Sequence, residues 1–127
     1  MDLIISTQPD SPPIYKQLYD SISAQIFSGQ LESGTALPPI RTVAKELRIS
    51  VVPVKMAWEE LERAGLIYTM VGRGCFVAQI ENDKLGEKRD TMAYDKLMRE
   101  IEYYKSLGFT KKELLDMVER CFEDDKK

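Results

Sequence analysis

The chain has 127 residues, room for one ordinary domain or a small domain with an appendage, and 43% apolar residues can supply a core. Histidine is absent, and the two cysteines, Cys75 and Cys121, form no ligand spacing; this excludes His-based triads and His-containing zinc sites, and no Gly-rich phosphate loop or apolar pair of acids offers another chemistry. With 31% charged residues, a formal charge of -3 and no bilayer-length apolar run, the sequence describes a folded non-enzyme without metal or cofactor, and the start MDLIISTQPD, which lacks a signal-peptide pattern, points to the cytoplasm.

In chain order, Leu3, Ile4 and Ile5 predict a short strand. Ser11-Pro12-Pro13 reads as a helix start. Ile14, Leu18, Ile22 and Ile26 then recur every four residues, the buried face of a scaffold helix that Gly29 ends. Leu31 plugs the core, and Glu32 to Thr35 form a turn. Leu37, Ile40, Val43, Ala44 and Leu47 predict a second helix, with Arg41, Lys45 and Arg48 off its apolar face. After a turn at Arg48-Ile49-Ser50, with Ser50 as N-cap, Val54, Ala57, Trp58 and Leu61 mark a third helix that Gly65 stops. Pro53 falls at its third position, where no intrahelical bond is lost. Trp58 belongs to the core face. Leu66–Met70 and Cys75–Val77 read as strands around a Gly72-Arg73-Gly74 tip.

Two angled helices followed by a hairpin make a winged helix-turn-helix, so the fold class is mainly α with a small β wing. Its second helix belongs in a major groove. Lys55 is the first charged side chain there, and Val51 and Val52 suit thymine methyls. Arg73, held out between two glycines, suits a narrow minor groove. Charge agrees in its distribution: residues 38–79 carry six basic and four acidic side chains, while residues 80–127 carry eleven and thirteen.

Residues 79–90 are polar with little periodicity and read as a linker between a DNA-binding domain, 1–78, and a two-helix region, 91–127. Ala93, Leu97, Ile101 and Tyr104 mark one helix of that region. Thr110 and Glu113 form a capping box, with Phe109 and Leu114 as its hydrophobic staple. Leu114, Leu115, Val118, Cys121 and Phe122 line the last helix, and the tail from Glu123 is expected to fray. An α-helical hairpin has more apolar surface than its mutual contact hides, so a symmetry mate is the expected partner. Met56, Met70, Met92, Met98 and Met117 are read as core filling, and both cysteines as reduced structural thiols.

Pro13-Ile14-Tyr15-Lys16-Gln17-Leu18, Ile26-Phe27-Ser28-Gly29-Gln30-Leu31, Leu37-Pro38-Pro39-Ile40-Arg41, Ala57-Trp58-Glu59-Glu60-Leu61 and Gly72-Arg73-Gly74-Cys75-Phe76-Val77 together resemble the N-terminal domain of GntR-family bacterial transcription regulators, over roughly residues 10 to 78. The short two-helix tail is similar to the YtrA-like subfamily. The resemblance implies a homodimeric, sequence-specific regulator of double-stranded DNA. It further implies a repressor of a palindromic operator, with transporter operons as frequent targets. By position it makes Arg41 the DNA-contacting arginine of the second helix, Ser50 the head of the recognition helix, Lys55 a basic DNA-facing position and Arg73 the wing residue of the minor groove. Pro39, Val51 and Pro53 depart from the family's usual serine, arginine or asparagine, and threonine. The alternative is a non-catalytic protein interaction module that kept this fold and lost sequence reading. A small-molecule effector is compatible with either.

Overall fold

In the computed structural model, residues 1–124 are described, and they divide into two compact units, the first 1–86 and the second from Glu87 onward. Along the chain come α1 (Ile14–Phe27), α2 (Ile40–Leu47), α3 (Val51–Arg63), β1 (Ile67–Met70), β2 (Gly74–Val77), α4 (Asn82–Ser106) and α5 (Lys111–Asp124). This is a mainly α chain with a two-stranded wing and two C-terminal helices, as the periodicity predicts.

The core of the first unit is built from the predicted faces. Leu18, Ile22 and Ile26 of α1, Val43 and Ala44 of α2, and Val54, Ala57, Trp58 and Leu61 of α3 are buried, joined by Leu31, Leu37, Leu66, Ile67 and Val77. α3 packs against both α1 and α2, and β1 follows from its end. Gly29 and Gly65, with φ of 84° and 76°, take left-handed conformations just past the ends of α1 and α3, as helix-stopping glycines do.

The wing is antiparallel, with Ile67 opposite Val77, Tyr68 opposite Phe76, Thr69 opposite Cys75 and Met70 opposite Gly74. Its base is closed by the buried pair Ile67 and Val77, and the Tyr68 and Phe76 rings stack across it at 5.7 Å. The segment read as a simple turn before α2 adds to the outer edge of β2. Gly34 N–H donates to the Val77 carbonyl at 2.8 Å, Val77 N–H to the Thr35 carbonyl at 2.9 Å and Leu37 N–H to the Cys75 carbonyl at 2.9 Å, around a bridge between Ala36 and Phe76. The α1–α2 connection thereby anchors the wing.

Three expectations change. Residues 3–5 form no strand; the N-terminal segment is held by side chains of α1 instead. Gln25 accepts from Asp2 N–H at 3.3 Å and donates to its carbonyl at 2.8 Å, and Gln17 does the same for Ser6 at 2.8 and 2.9 Å. A glutamine amide carries one acceptor and two donors, so each substitutes for a partner strand at one residue. α1 starts on Pro13, not Ser11, without a side-chain cap, and the Ser11 hydroxyl lies 2.6 Å from that of Ser6. Finally, the stretch read as linker is helical from Asn82. Lys, Glu, Leu and Arg are good helix formers, and a solvated helix needs no apolar period. Irregular backbone between β2 and α4 is confined to residues 78–81.

In the second unit the capping box forms as predicted: Thr110 N–H donates to Glu113 Oε1 at 2.9 Å, and Glu113 N–H to Thr110 Oγ1 at 3.2 Å. Gly108, at φ 93°, turns the chain between the helices, and Phe109 meets Tyr104 edge-on at 6.4 Å. Glu123 and Asp124 belong to α5; the rest of the tail expected to fray lies outside the described residues.

Candidate nucleic-acid interface

Three features of the first unit carry the predicted DNA-facing residues. The first is α2 and the turn after it. Arg41, in the first turn of α2, and Lys45, in its last, are exposed. Arg48 follows at φ 58° and ψ 47°, alone among the described non-glycine residues in having a positive φ. An L-residue adopts that conformation at a cost of roughly 1–2 kcal/mol. It is stabilised here by closure of the turn, with Arg48 N–H donating to the Lys45 carbonyl at 3.2 Å and Ile49 N–H to the Ala44 carbonyl at 2.9 Å. This bend redirects the chain from α2 into α3.

The second feature is the outer face of α3. Ser50 stands at the N-cap in extended conformation, yet its side chain makes no capping hydrogen bond, contrary to expectation. Pro53 removes one of the two amides such a cap serves, and Ser50 is exposed. Val51, Val52, Lys55 and Met56 are exposed, while Val54, Ala57, Trp58 and Leu61 of the same helix are buried. Met56 was read as core; helical rotation places it beside Val52, four residues earlier. That spacing was the available sequence signal, overridden by its apolar character.

The third feature is the wing tip. Arg73 N–H donates to the Met70 carbonyl at 2.9 Å, and Gly72 and Gly74 lie at φ 79° and 108°, where other residues are strained. Arg73 is exposed and Val71 beside it is 99% exposed, so the tip projects fully into solvent.

Among the described residues, none of Arg41, Lys45, Arg48, Lys55 and Arg73 enters a salt bridge. Two of the three acids late in α3 are engaged elsewhere: Glu60 pairs with Arg63, and Glu62 Oε1 accepts from Thr69 N–H at 3.2 Å. The five cations therefore keep their full attraction for an external polyanion. No group of three or more His, Cys, Asp or Glu among the described residues is placed to hold a metal ion, and none of their helices is long and apolar enough to cross a membrane.

The second unit presents a different surface. No residue of α4 or α5 is buried. Of the residues expected at a dimer interface, Ala93, Leu97, Leu115, Val118 and Phe122 are exposed, and Ile101, Tyr104 and Leu114 are half-buried. Tyr94, Met98, Tyr103 and Leu107 extend the apolar surface beyond the predicted stripes. The Tyr104 phenol is held above its usual pKa, first by a hydrogen bond with Glu100 and then by that carboxylate's charge.

Comparison with known proteins is consistent with this geometry. Residues 14–77, from the first residue of α1 to the last of β2, match the family model described as "Bacterial regulatory proteins, gntR family". The uncharacterized HTH-type transcriptional regulator YhcF of Bacillus subtilis is 29% identical over 113 residues, 89% of this chain and 93% of its own length. The HTH-type transcriptional repressor YtrA of the same organism is 32% identical over 91 residues, 72% of this chain and 70% of its own. A solved GntR family transcriptional regulator from Listeria monocytogenes shares 28% identity at a TM-score of 0.64, covering 87% of this chain and 96% of that one. The chain belongs to the gntR family of bacterial regulatory proteins and is a DNA-binding transcription regulator.

Proposed function

We propose that the protein is a homodimeric repressor of a palindromic operator, of the YtrA-like kind. The observation that carries the DNA half of this reading is the set of five exposed cations without ion-pair partners, borne on α2, the turn, α3 and the wing tip. Arg41, Lys45 and Arg48 contact the phosphate backbone, α3 enters the major groove through Ser50, Val51, Val52 and Lys55, and Arg73 enters the minor groove. The unburied apolar surface of α4 and α5 supports the dimer half: 71% exposure of Phe122 and 56% of Leu97 in water is unfavourable, and a two-fold mate relieves it. Twofold protein symmetry implies a palindromic site. The name of its relative YtrA as a repressor, and the extent of that likeness, support repression; a transporter operon as target is what the resemblance to the YtrA-like subfamily implies.

The test is capture of genomic fragments on the immobilised full-length protein, sequencing of what is retained, and titration of the recovered duplex by fluorescence anisotropy. A retained palindrome bound with steep salt dependence is the expected result, since each neutralised phosphate adds about 0.9 to the slope of log K against log salt. Binding without sequence preference or salt dependence overturns the reading in favour of an interaction module.

A further inference from the structure

The outer face of the first two turns of α3 consists of Val51, Val52, Lys55 and Met56, at helical positions that adjoin one another. Val51 is 44% exposed, Val52 60% and Met56 41%. Valine is a mediocre helix former, so two valines in the first turn contribute little to the helix itself, and at this exposure they contribute little to the core. Their apolar surface is available to something outside the domain.

The composition of this face limits what it can recognise. Guanine O6 and N7 are answered by arginine or lysine, adenine N6 and N7 by asparagine or glutamine, and cytosine N4 by a carboxylate. Of these the face holds only the Lys55 ammonium; the exposed Ser50 hydroxyl ahead of it both donates and accepts and so discriminates little among bases, and Pro53 withdraws one backbone N–H from the same turn. The major-groove group that an apolar side chain does answer is the C5 methyl of thymine. The unpaired Arg41, Lys45 and Arg48 on the preceding helix and turn commit the occupant to a polyanion, which an apolar protein partner is not.

We infer that sequence selection by this protein is dominated by thymine methyl groups packed against Val51, Val52 and Met56, with Val52 the principal determinant and Lys55 the one charged contact of the face. The inference rests on the proposed reading that α3 enters the major groove. It predicts half-sites rich in thymine where α3 lies, and little loss on exchanging bases that present no methyl to it.

The experiment uses the full-length protein and duplexes selected from a randomised library. Each thymine of the selected half-site is replaced in turn by deoxyuridine, which removes the methyl and keeps every hydrogen-bonding group. The expected result is a loss of about three- to fivefold in affinity at one to three positions per half-site, the size of one buried methyl contact. At those positions a 5-methylcytosine–guanine pair should bind better than a cytosine–guanine pair. Val52→Ser should bring the thymine-to-uracil ratio close to one at the position packed against Val52 while the salt dependence stays. If no position responds to uracil although the protein still prefers the selected duplex to a scrambled one, the methyl inference is overturned and the DNA reading survives. If the protein shows no preference among duplexes at all, the DNA reading fails and the inference fails with it. Uracil substitution leaves the protein untouched, so a folding defect in the variant cannot mimic either result.

Discussion

Thr110 and Glu113 exchange hydrogen bonds at the start of α5, each backbone N–H donating to the other's side chain, at 2.9 and 3.2 Å. The bond from the Thr110 backbone is the larger cause that lowers the Glu113 carboxyl below its ordinary pKa; the Thr110 hydroxyl side adds to it and slight desolvation opposes. A carboxyl depressed in the folded state contributes stability above its unfolded value, about 4.3, and loses that contribution as pH falls through the folded value. Helicity of the C-terminal region is therefore expected to drop on acidification below that range. Thr110→Ala keeps the backbone donor and removes only the hydroxyl's lesser share, so the Glu113 carboxyl should stay below its ordinary value by less, and the acid-dependent part should shrink only in part. Carboxyl-carbon NMR titration together with circular dichroism measures both.

Arg48 combines backbone strain with an unpaired charge. Arg48→Gly relieves the left-handed conformation, offset by the greater freedom of glycine in the unfolded chain, for a net gain of up to about 1 kcal/mol. On the proposed reading the same change also removes a phosphate contact, which should reduce the salt slope of operator binding by about 1. Stability from urea unfolding and affinity from anisotropy should move in opposite directions. A variant that loses both would show that Arg48 supports the turn through its side chain.

Arg73→Ala should weaken operator binding by about 1–3 kcal/mol, from about fivefold to about 150-fold. Arg73 is exposed and makes no side-chain contact that supports the wing, so the unfolding midpoint should not move. Calorimetric unfolding and an operator titration at one fixed salt concentration test the two halves. An unchanged dissociation constant removes Arg73 from the interface.

Leu97→Glu combined with Val118→Glu places charge on the exposed apolar surface of α4 and α5. Sedimentation velocity should then report a monomer. Operator affinity should fall by about two to four powers of ten as the linked second head is lost. A dimer of unchanged affinity would locate the subunit contact in the first unit.

Leu61 is fully buried on the face of α3 that packs against its neighbours. Leu61→Ala should cost about 2–5 kcal/mol in urea unfolding, because the lost side chain leaves a cavity. The exposed Val52→Ala should cost far less. That contrast checks the rotation of α3 on which the interface depends.

Much of this protein was determined by its sequence locally. The four-residue spacing of Leu18, Ile22 and Ile26, the alternation of Val54, Ala57, Trp58 and Leu61, the glycines after α1 and α3, the glycine-flanked Arg73 and the Thr110–Glu113 box each act within a turn or two of chain. Such signals survive in a one-dimensional string because the hydrogen bonds and side-chain contacts they encode join near neighbours. Tertiary structure decided the rest. Gln25 clasps Asp2 across 23 residues, and residues 34–37 pair with the edge of β2, because backbone groups take whatever partner the packing brings within reach, and that leaves no local pattern. The same holds for Met56. Val52 is already legible on the outer face, but Met56 is apolar and reads as core, and the docking of α3 on α1 and α2, which buries Trp58 and Leu61, turns it outward.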